Sequence, residues 1–462
     1  MTTGSKGRPE NIDDTAGEQV DPRQVRRVAA ASSFGTGIEL YDFLIFGLAA
    51  GLVFPKLFFP GSDPLVGTLL SFMTFGAGFL ARPIGGLVFG HFGDRVGRKL
   101  MLVITLTTTG VCTVLMGLLP IYEQVGALAP TLLVVLRVLQ GFFMGGEQGG
   151  AFLMVTEHAP IGSKAFFGSF ATAGSPIGSI LGIGAFTLVS QATGADFLTW
   201  GWRLPFLLSA VLVGIGIYVR LGLRESPVFR AMQSIERPSR LPLAEVLRHG
   251  WFVVLAGILV NLGFNLFIFI INSFSVAYGT QSLKMARTDI LVVGLWGSLA
   301  MLVTVVVASR LADRFGLVRI MLIGGIFQVV WAFPYFLLFG TGQVGPMAVA
   351  VVVGYIGSSF IFGPMAAYYA SLFEPGHRYS GVSLSYQVGA VLGGGLSPSI
   401  ATWLLQRFHR GTTGISIYIA LGGVLSVLGL LMSRNRVGAA FDARRSRASH
   451  PLAPKPARDR VS

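Results

Sequence analysis

"GHFGDRVGRK", residues 90–99, places one acid, three bases and a histidine in ten positions. Asp, Glu, Lys and Arg make up only 12% of the 462-residue chain, and long uncharged apolar runs flank this stretch on both sides. A related stretch, "SRLADRFGLVR", occurs at 309–319, with Asp313-Arg314 standing 219 positions after Asp94-Arg95. A similar offset relates "GSKAFFGSF", which comes after one apolar run, to "GHRYSGVSL", which comes after another. Two landmarks repeated at nearly one offset predict a parallel internal repeat, with each copy holding half of the chain.

The apolar runs set the class. The chain is 52% hydrophobic with a mean hydropathy of +0.69, and a soluble protein of this length needs more charge than that. Roughly 20 consecutive apolar residues span a bilayer as a helix. Such runs lie near 29–53, 65–90, 99–120, 130–157, 163–190, 202–220, 250–279, 289–309, 318–340, 345–372, 380–406 and 414–433. The expectation is an all-α membrane protein of twelve transmembrane helices in two six-helix halves. Residues 1–28 form a tail without a signal peptide, 29–220 and 250–434 the two halves, 221–249 a polar linker and 435–462 a disordered tail.

The formal charge of +14 would point to nucleic acid in a soluble chain; here its placement obeys membrane topology. With both ends inside, 27 Lys and Arg fall in inside segments and five in outside loops. That bias predicts a multi-pass protein of the bacterial cytoplasmic membrane with both termini cytoplasmic. No nucleic-acid partner is expected, and a single chain is expected to suffice. Cys112 stands alone in the third run, so no intrachain disulfide or cysteine metal cluster can be built.

In the opening stretch, Gly90, Gly93 and Gly97 permit a tight reversal and close helix approach. Asp94 suits a neighbouring helix N-terminus, while Arg95, Arg98 and Lys99 hold the segment inside. Gly90, Asp94, Arg95, Gly97 and Arg98, with Asp313 and Arg314 of the second copy, are the candidate gate. The segment reads as a short turn between spans two and three.

This stretch resembles the loop signature of the major facilitator superfamily. "GTGIELYDFLIFG" (35–47), "RVLQGFFMGGEQGGA" (137–151), "LRESPVF" (223–229) and "RYSGVSLSYQVGAVLGGGLSPSI" (378–400) resemble its metabolite:proton symporters. The resemblance covers roughly 28–435 and implies a transporter of organic acids, shikimate, proline or betaine with no cofactor.

A charge at the centre of a membrane helix costs ~2.5–3.5 kcal/mol even on insertion scales, so each needs a partner or water. Five qualify, all in the first half: Glu39, Asp42, Arg82, Arg137 and Glu147. Depth along the helices sets Asp42 near Arg137, and Glu39, Arg82 and Glu147 in a second layer. Asp42, Arg137, Glu39 and Glu147 are the proton-coupling candidates. In span four, Arg137, Gln140, Met144 and Glu147 form one polar stripe. The second half offers neutral groups: Asn261, Asn265 and Asn272 on one face of span seven, with Tyr386 and Gln387 in span eleven. These and Arg137 and Gln140 are the substrate-binding candidates, with Arg137 as the bidentate carboxylate anchor. The glycine ridges Gly141-Gly145-Gly149 and Gly174-Gly178-Gly182 read as packing surfaces, and Pro364 and Pro398 as interruptions of spans ten and eleven.

The expectation is a secondary active symporter that couples a small organic solute, a carboxylate metabolite, to protons across the bilayer. A proton-antiporting exporter, an uncoupled facilitator and a non-transporting membrane sensor are the alternatives. An enzyme is not expected: there is no His-Glu-x-x-His metal pair, and no Gly-Lys pair for a phosphate loop.

Overall fold

The computed structural model describes residues 22–61, 63–96, 98–160, 162–221, 242–374, 378–408 and 411–449. Every regular element among them is helical. Twelve helices form the bundle. The first six are α1 (Pro22–Leu52), α2 (Pro64–Val96), α3 (Arg98–Leu118), α4 (Leu128–His158), α5 (Lys164–Thr193) and α6 (Arg203–Leu221). The second six are α7 (Gly250–Gln281, its helix starting at Pro242), α8 (Arg287–Phe315), α9 (Leu317–Phe339), α10 (Val344–Leu372), α11 (Arg378–Arg407) and α12 (Thr413–Ser449). Eleven are long and apolar enough to cross a bilayer, and α6 is a shorter apolar helix.

The internal repeat appears as repeated packing. Within the first half α1 lies along α5, α2 along α4 and α3 along α6; within the second, α7 lies along α11, α8 along α10 and α9 along α12. The halves meet along two equivalent seams, α5 with α8 and α2 with α11. Small residues set the spacing inside the first half. A Cβ on Gly141 would stand 1.8 Å from the Gly78 carbonyl oxygen, and one on Gly178 would stand 2.3 Å from that of Gly37. The glycine ridges are therefore packing surfaces.

Four helices depart from α geometry inside the bundle. Helix α4 breaks at Gly145-Gly146 and α10 at Gly363-Pro364. Helices α7 and α11 each carry one π turn, at Ile270–Phe274 and Val391–Gly395. Pro398 opens the helix segment after the second turn. Such irregular backbone occurs at membrane depth where it is enclosed by protein or lines a cavity.

Several sequence boundaries move. The two charged stretches are not loops: α2 continues to Val96 and α3 starts at Arg98, while α8 runs to Phe315 and α9 starts at Leu317. Basic residues near a helix C-terminus complement its dipole, so the charges extend the helix instead of ending it. In the second copy the reversal is left to a single residue. Gly316 takes φ +103°, a region closed to most side chains, and Gly97, its counterpart, lies outside the described residues. The last helix passes the boundary expected at 435 and runs to Ser449 because its Ala and Arg are good helix formers. Likewise α1 begins at Pro22, inside the expected tail. Of the expected 221–249 linker, 222–241 lie outside the described residues.

Candidate substrate and coupling site

Three helices of the first half aim their polar residues at one axis. On α1, Glu39, Asp42, Phe43 and Phe46 take the i, i+3, i+4, i+7 spacing of a single face. On α2, Phe75, Phe79 and Arg82 do the same, and on α4 Arg137, Gln140 and Met144 continue to Glu147 past the break. All five charged side chains are buried: Arg137 is 0% exposed, Asp42 and Glu147 1%, Glu39 3% and Arg82 7%.

Asp42 and Arg137 lie in one network without touching. Ser209 Oγ donates to Asp42 Oδ1 at 2.6 Å, and Thr113 neighbours the same carboxyl. Gln140 Nε2 donates to Thr113 Oγ1 at 2.7 Å, and Arg137 Nη1 donates to Gln140 Oε1 at 2.5 Å. The direct ion pair suggested by depth along the helices is thus replaced by a relay through Gln140 and Thr113. Arg137 Nε and Nη2 have no hydrogen-bond partner among the described residues. Its guanidinium instead rests on aromatic rings, 4.1 Å from the Phe43 centroid, 4.3 Å from Phe46 and 4.9 Å from Phe75. Ring faces attract a desolvated cation but cannot accept hydrogen bonds as a carboxylate does.

Arg82 is held differently. It pairs with Glu39 at 3.7 Å, stacks on Phe43 and Phe79 at 4.3 and 4.7 Å, and donates to Met144 Sδ at 3.4 Å. Glu147 adds its field at both Arg82 and Asp42. Of the expected second layer of Glu39, Arg82 and Glu147, Glu39 and Arg82 are in contact, while Glu147 acts on Asp42 as well as on Arg82.

The second half faces this cluster with neutral groups. Asn261 Nδ2 donates to the Tyr386 carbonyl at 2.6 Å, and Asn265 Nδ2 donates to Asn261 Oδ1 at 2.7 Å. Asn261 thus joins α7 to α11, and Asn265 braces it from within α7. Asn272 leaves their face: it sits in the π turn and accepts from Tyr355 Oη of α10. An extra residue in the turn rotates every later side chain about the helix axis, which a constant 100° per residue does not anticipate. Gln387 Nε2 reaches across the seam to the Gly145 carbonyl at 2.9 Å, and Tyr379 Oη to that of Gly146 at 2.6 Å. Both contacts grip the break in α4. Tyr386 packs its ring against Phe152 and Tyr369.

The gate residues divide by what is described. The side chains of Gly90, Asp94, Arg95, Gly97 and Arg98 lie outside the described residues. In the second copy, Asp313 of α8 crosses to the first half and caps α5, accepting from Ala165 N at 3.0 Å and Phe166 N at 2.8 Å. An acid at a helix N-terminus meets both orphan N–H groups and the positive end of the dipole. Arg314 stacks on its neighbour Phe315. At the opposite end of the bundle, Gln281 Nε2 of α7 donates to Thr68 Oγ1 at 2.9 Å and to the Gly51 carbonyl at 3.3 Å. The halves are thus joined at both ends.

Sequence reading missed the phenylalanines. Phe43, Phe75, Phe79 and Phe269 of α7 form one box, each ring 4.6–5.7 Å from the other three. The signal was present as phenylalanine at charged-residue spacing on α1 and α2. It also missed Thr113, although Thr105, Thr109 and Thr113 recur every four residues down α3.

Residues 32–398 match the Major Facilitator Superfamily. The chain is 40% identical to the inner membrane metabolite transport protein YhjE of Escherichia coli (strain K12), over 88% of this chain and 93% of that protein. It is 39% identical to the shikimate transporter of the same strain, over 89% and 95%, and 32% identical to its proline/betaine transporter, over 84% and 79%. Among solved structures, the proton:xylose symporter XylE bound to 6-bromo-6-deoxy-D-glucose superposes with a TM-score of 0.70 at 16% identity, covering 90% of this chain and 96% of that one; at that identity it speaks for the fold alone. The chain belongs to the major facilitator superfamily, as a multi-pass membrane transporter and not an enzyme.

Proposed function

We propose that this transporter is a proton-coupled symporter of a small organic carboxylate in the bacterial cytoplasmic membrane. The observation that carries the reading is Arg137: a guanidinium 0% exposed, with Nε and Nη2 lacking acceptors and no carboxylate within ion-pair distance among the described residues. A planar cation with two vacant donors fits a carboxylate bidentately. The shikimate and proline/betaine relatives support a solute of this kind, and the XylE fold supports the architecture.

Asp42 carries the proton. It stands one relay from Arg137, so a solute carboxylate that neutralises Arg137 removes a positive field that Asp42 otherwise shares. Solute and proton then favour each other's binding, and by linkage the factor is the same in both directions. Asn265 faces the solute from the second half, and Gln387 faces the seam. Alternating access closes one end while the other opens, with Asp313 and Asp94 latching the end that carries both termini. The positive-inside bias assigns that end to the cytoplasm.

The test is uptake of labelled carboxylates into proteoliposomes, with and without an imposed inward proton gradient. The reading expects accumulation above the outside concentration only with the gradient. Equal uptake in both conditions would make the protein a facilitator, and efflux driven by inward protons an exporter.

A further inference from the structure

One ring holds two cations of the protein itself. The guanidinium carbons of Arg137 and Arg82 lie 4.1 and 4.3 Å from the Phe43 centroid. Phe75 and Phe79 brace that ring at 4.8 and 4.6 Å, and Phe269 closes the box from the second half at 5.6 Å. Phe43 is 1% exposed, and Phe75 and Phe79 are 0%. A buried box of aromatic rings is the usual receptor for a quaternary ammonium group. Here guanidinium groups already occupy the ring faces, and Arg137 has donors to spare.

We infer that Phe43 is a specificity-determining residue: by holding both guanidinium groups against the aromatic box, it fits the site to a carboxylate solute that carries no quaternary ammonium. The inference rests on the reading of Arg137 as the anchor and narrows the class of solute. A betaine places its ammonium only a few bonds from its carboxylate. With the carboxylate on Arg137, that ammonium enters a box where two like charges stand, and like charges at such range repel strongly in a low-dielectric interior. The acids that could offset this are engaged: Glu39 pairs with Arg82 and Asp42 accepts from Ser209, while Glu147 already acts on Arg82. A carboxylate on a neutral ring or chain meets no such repulsion. Phe43 also neighbours Asp42 in sequence, so the residue that positions the anchor moves with the proposed proton carrier.

The test is binding to the purified full-length protein by isothermal titration at one pH. The probes are shikimate, benzoate and succinate as carboxylates, glycine betaine as carboxylate plus quaternary ammonium, and choline as quaternary ammonium alone. The expected result is binding of at least one of the three carboxylates, betaine weaker by about tenfold or more, and no binding of choline. Phe43→Tyr, which keeps a ring, should preserve that ratio. Phe43→Leu, which keeps bulk but loses the ring, should weaken the carboxylate about tenfold and narrow the gap to betaine. Betaine bound as tightly as the best carboxylate by the wild type, or Leu and Tyr variants with the same selectivity, would overturn the assignment. Arg137→Ala separates the two levels. If it abolishes carboxylate binding while Phe43→Leu changes nothing, only the role of Phe43 falls. If it leaves carboxylate binding intact, or if none of the three carboxylates binds the wild type, the anchor falls and this inference with it.

Discussion

The two halves share a packing plan and differ in what they bury along it. Helices α1, α2 and α4 bury Glu39, Asp42, Arg82, Arg137 and Glu147. Their counterparts α7, α8 and α10 have no Asp, Glu, Lys or Arg over 250–281, 290–309 and 344–372. In their place stand amides bonded to helix partners, as Asn261 is to the Tyr386 carbonyl. The π turns of the second half also face the first: Phe269 precedes one and enters the aromatic box, and Gly395 ends the other against Phe79. A buried charge is expensive unless it is used, whereas a π turn marks a place where a helix departs from regular register. We read the contrast as a division of labour, with recognition and proton handling in the first half and deformable contacts in the second.

The largest effects should come from charge removal in the first half. Arg137→Ala should lower solute affinity by about 100-fold, in line with the loss of a buried charge-assisted contact, measured by equilibrium binding. The equivalent neutral change in the second half, Asn265→Ala, should shift affinity only a few-fold and lower stability by about 1 kcal/mol, because it removes only the neutral hydrogen bonds its Nδ2 donates to Asn261. Equal losses from the two variants would end the division of labour.

An intermediate effect is expected at the latch. Asp313→Asn removes the charge on the α5 cap but keeps its shape. Exchange should slow several-fold, with solute affinity within about threefold, since a cap contributes on the order of 1 kcal/mol and touches no solute. A large loss of affinity with unchanged exchange would place Asp313 at the binding site instead. Gln387→Ala should give the smallest change. It breaks one contact with Gly145 across the seam, so the rates of opening should change while equilibrium affinity holds; the two are separated by comparing exchange with binding.

Much of the bundle was legible because membrane helices must satisfy their own backbone, which leaves hydropathy as a direct record of the spans. Length and the two Asp-Arg landmarks sufficed for twelve helices in two halves. The two charged stretches misled as loops because charge was taken to end a helix, when in the second copy only Gly316 departs from it. At the candidate site, the cost of burying charge singled out five residues that the structure does bury, but sequence does not reveal contact partners. Depth placed Asp42 beside Arg137, while the structure inserts Gln140 and Thr113 between them. The aromatic box was hidden for another reason: phenylalanine is common in any membrane span, so its spacing stands out only once Phe269 arrives from the other half.

The central claim is that Asp42 carries the coupling proton for a solute held by Arg137. It is tested most directly by Asp42→Asn protein reconstituted into vesicles, with solute exchange and gradient-driven uptake measured on the same preparation. The wild type should concentrate solute up to ~50-fold per 100 mV if one net charge enters per cycle. The variant should exchange labelled for unlabelled solute across the membrane and yet never accumulate it above the outside concentration, whatever the imposed proton gradient. Accumulation by the variant on that gradient would contradict the account and move the proton to Glu39 or Glu147.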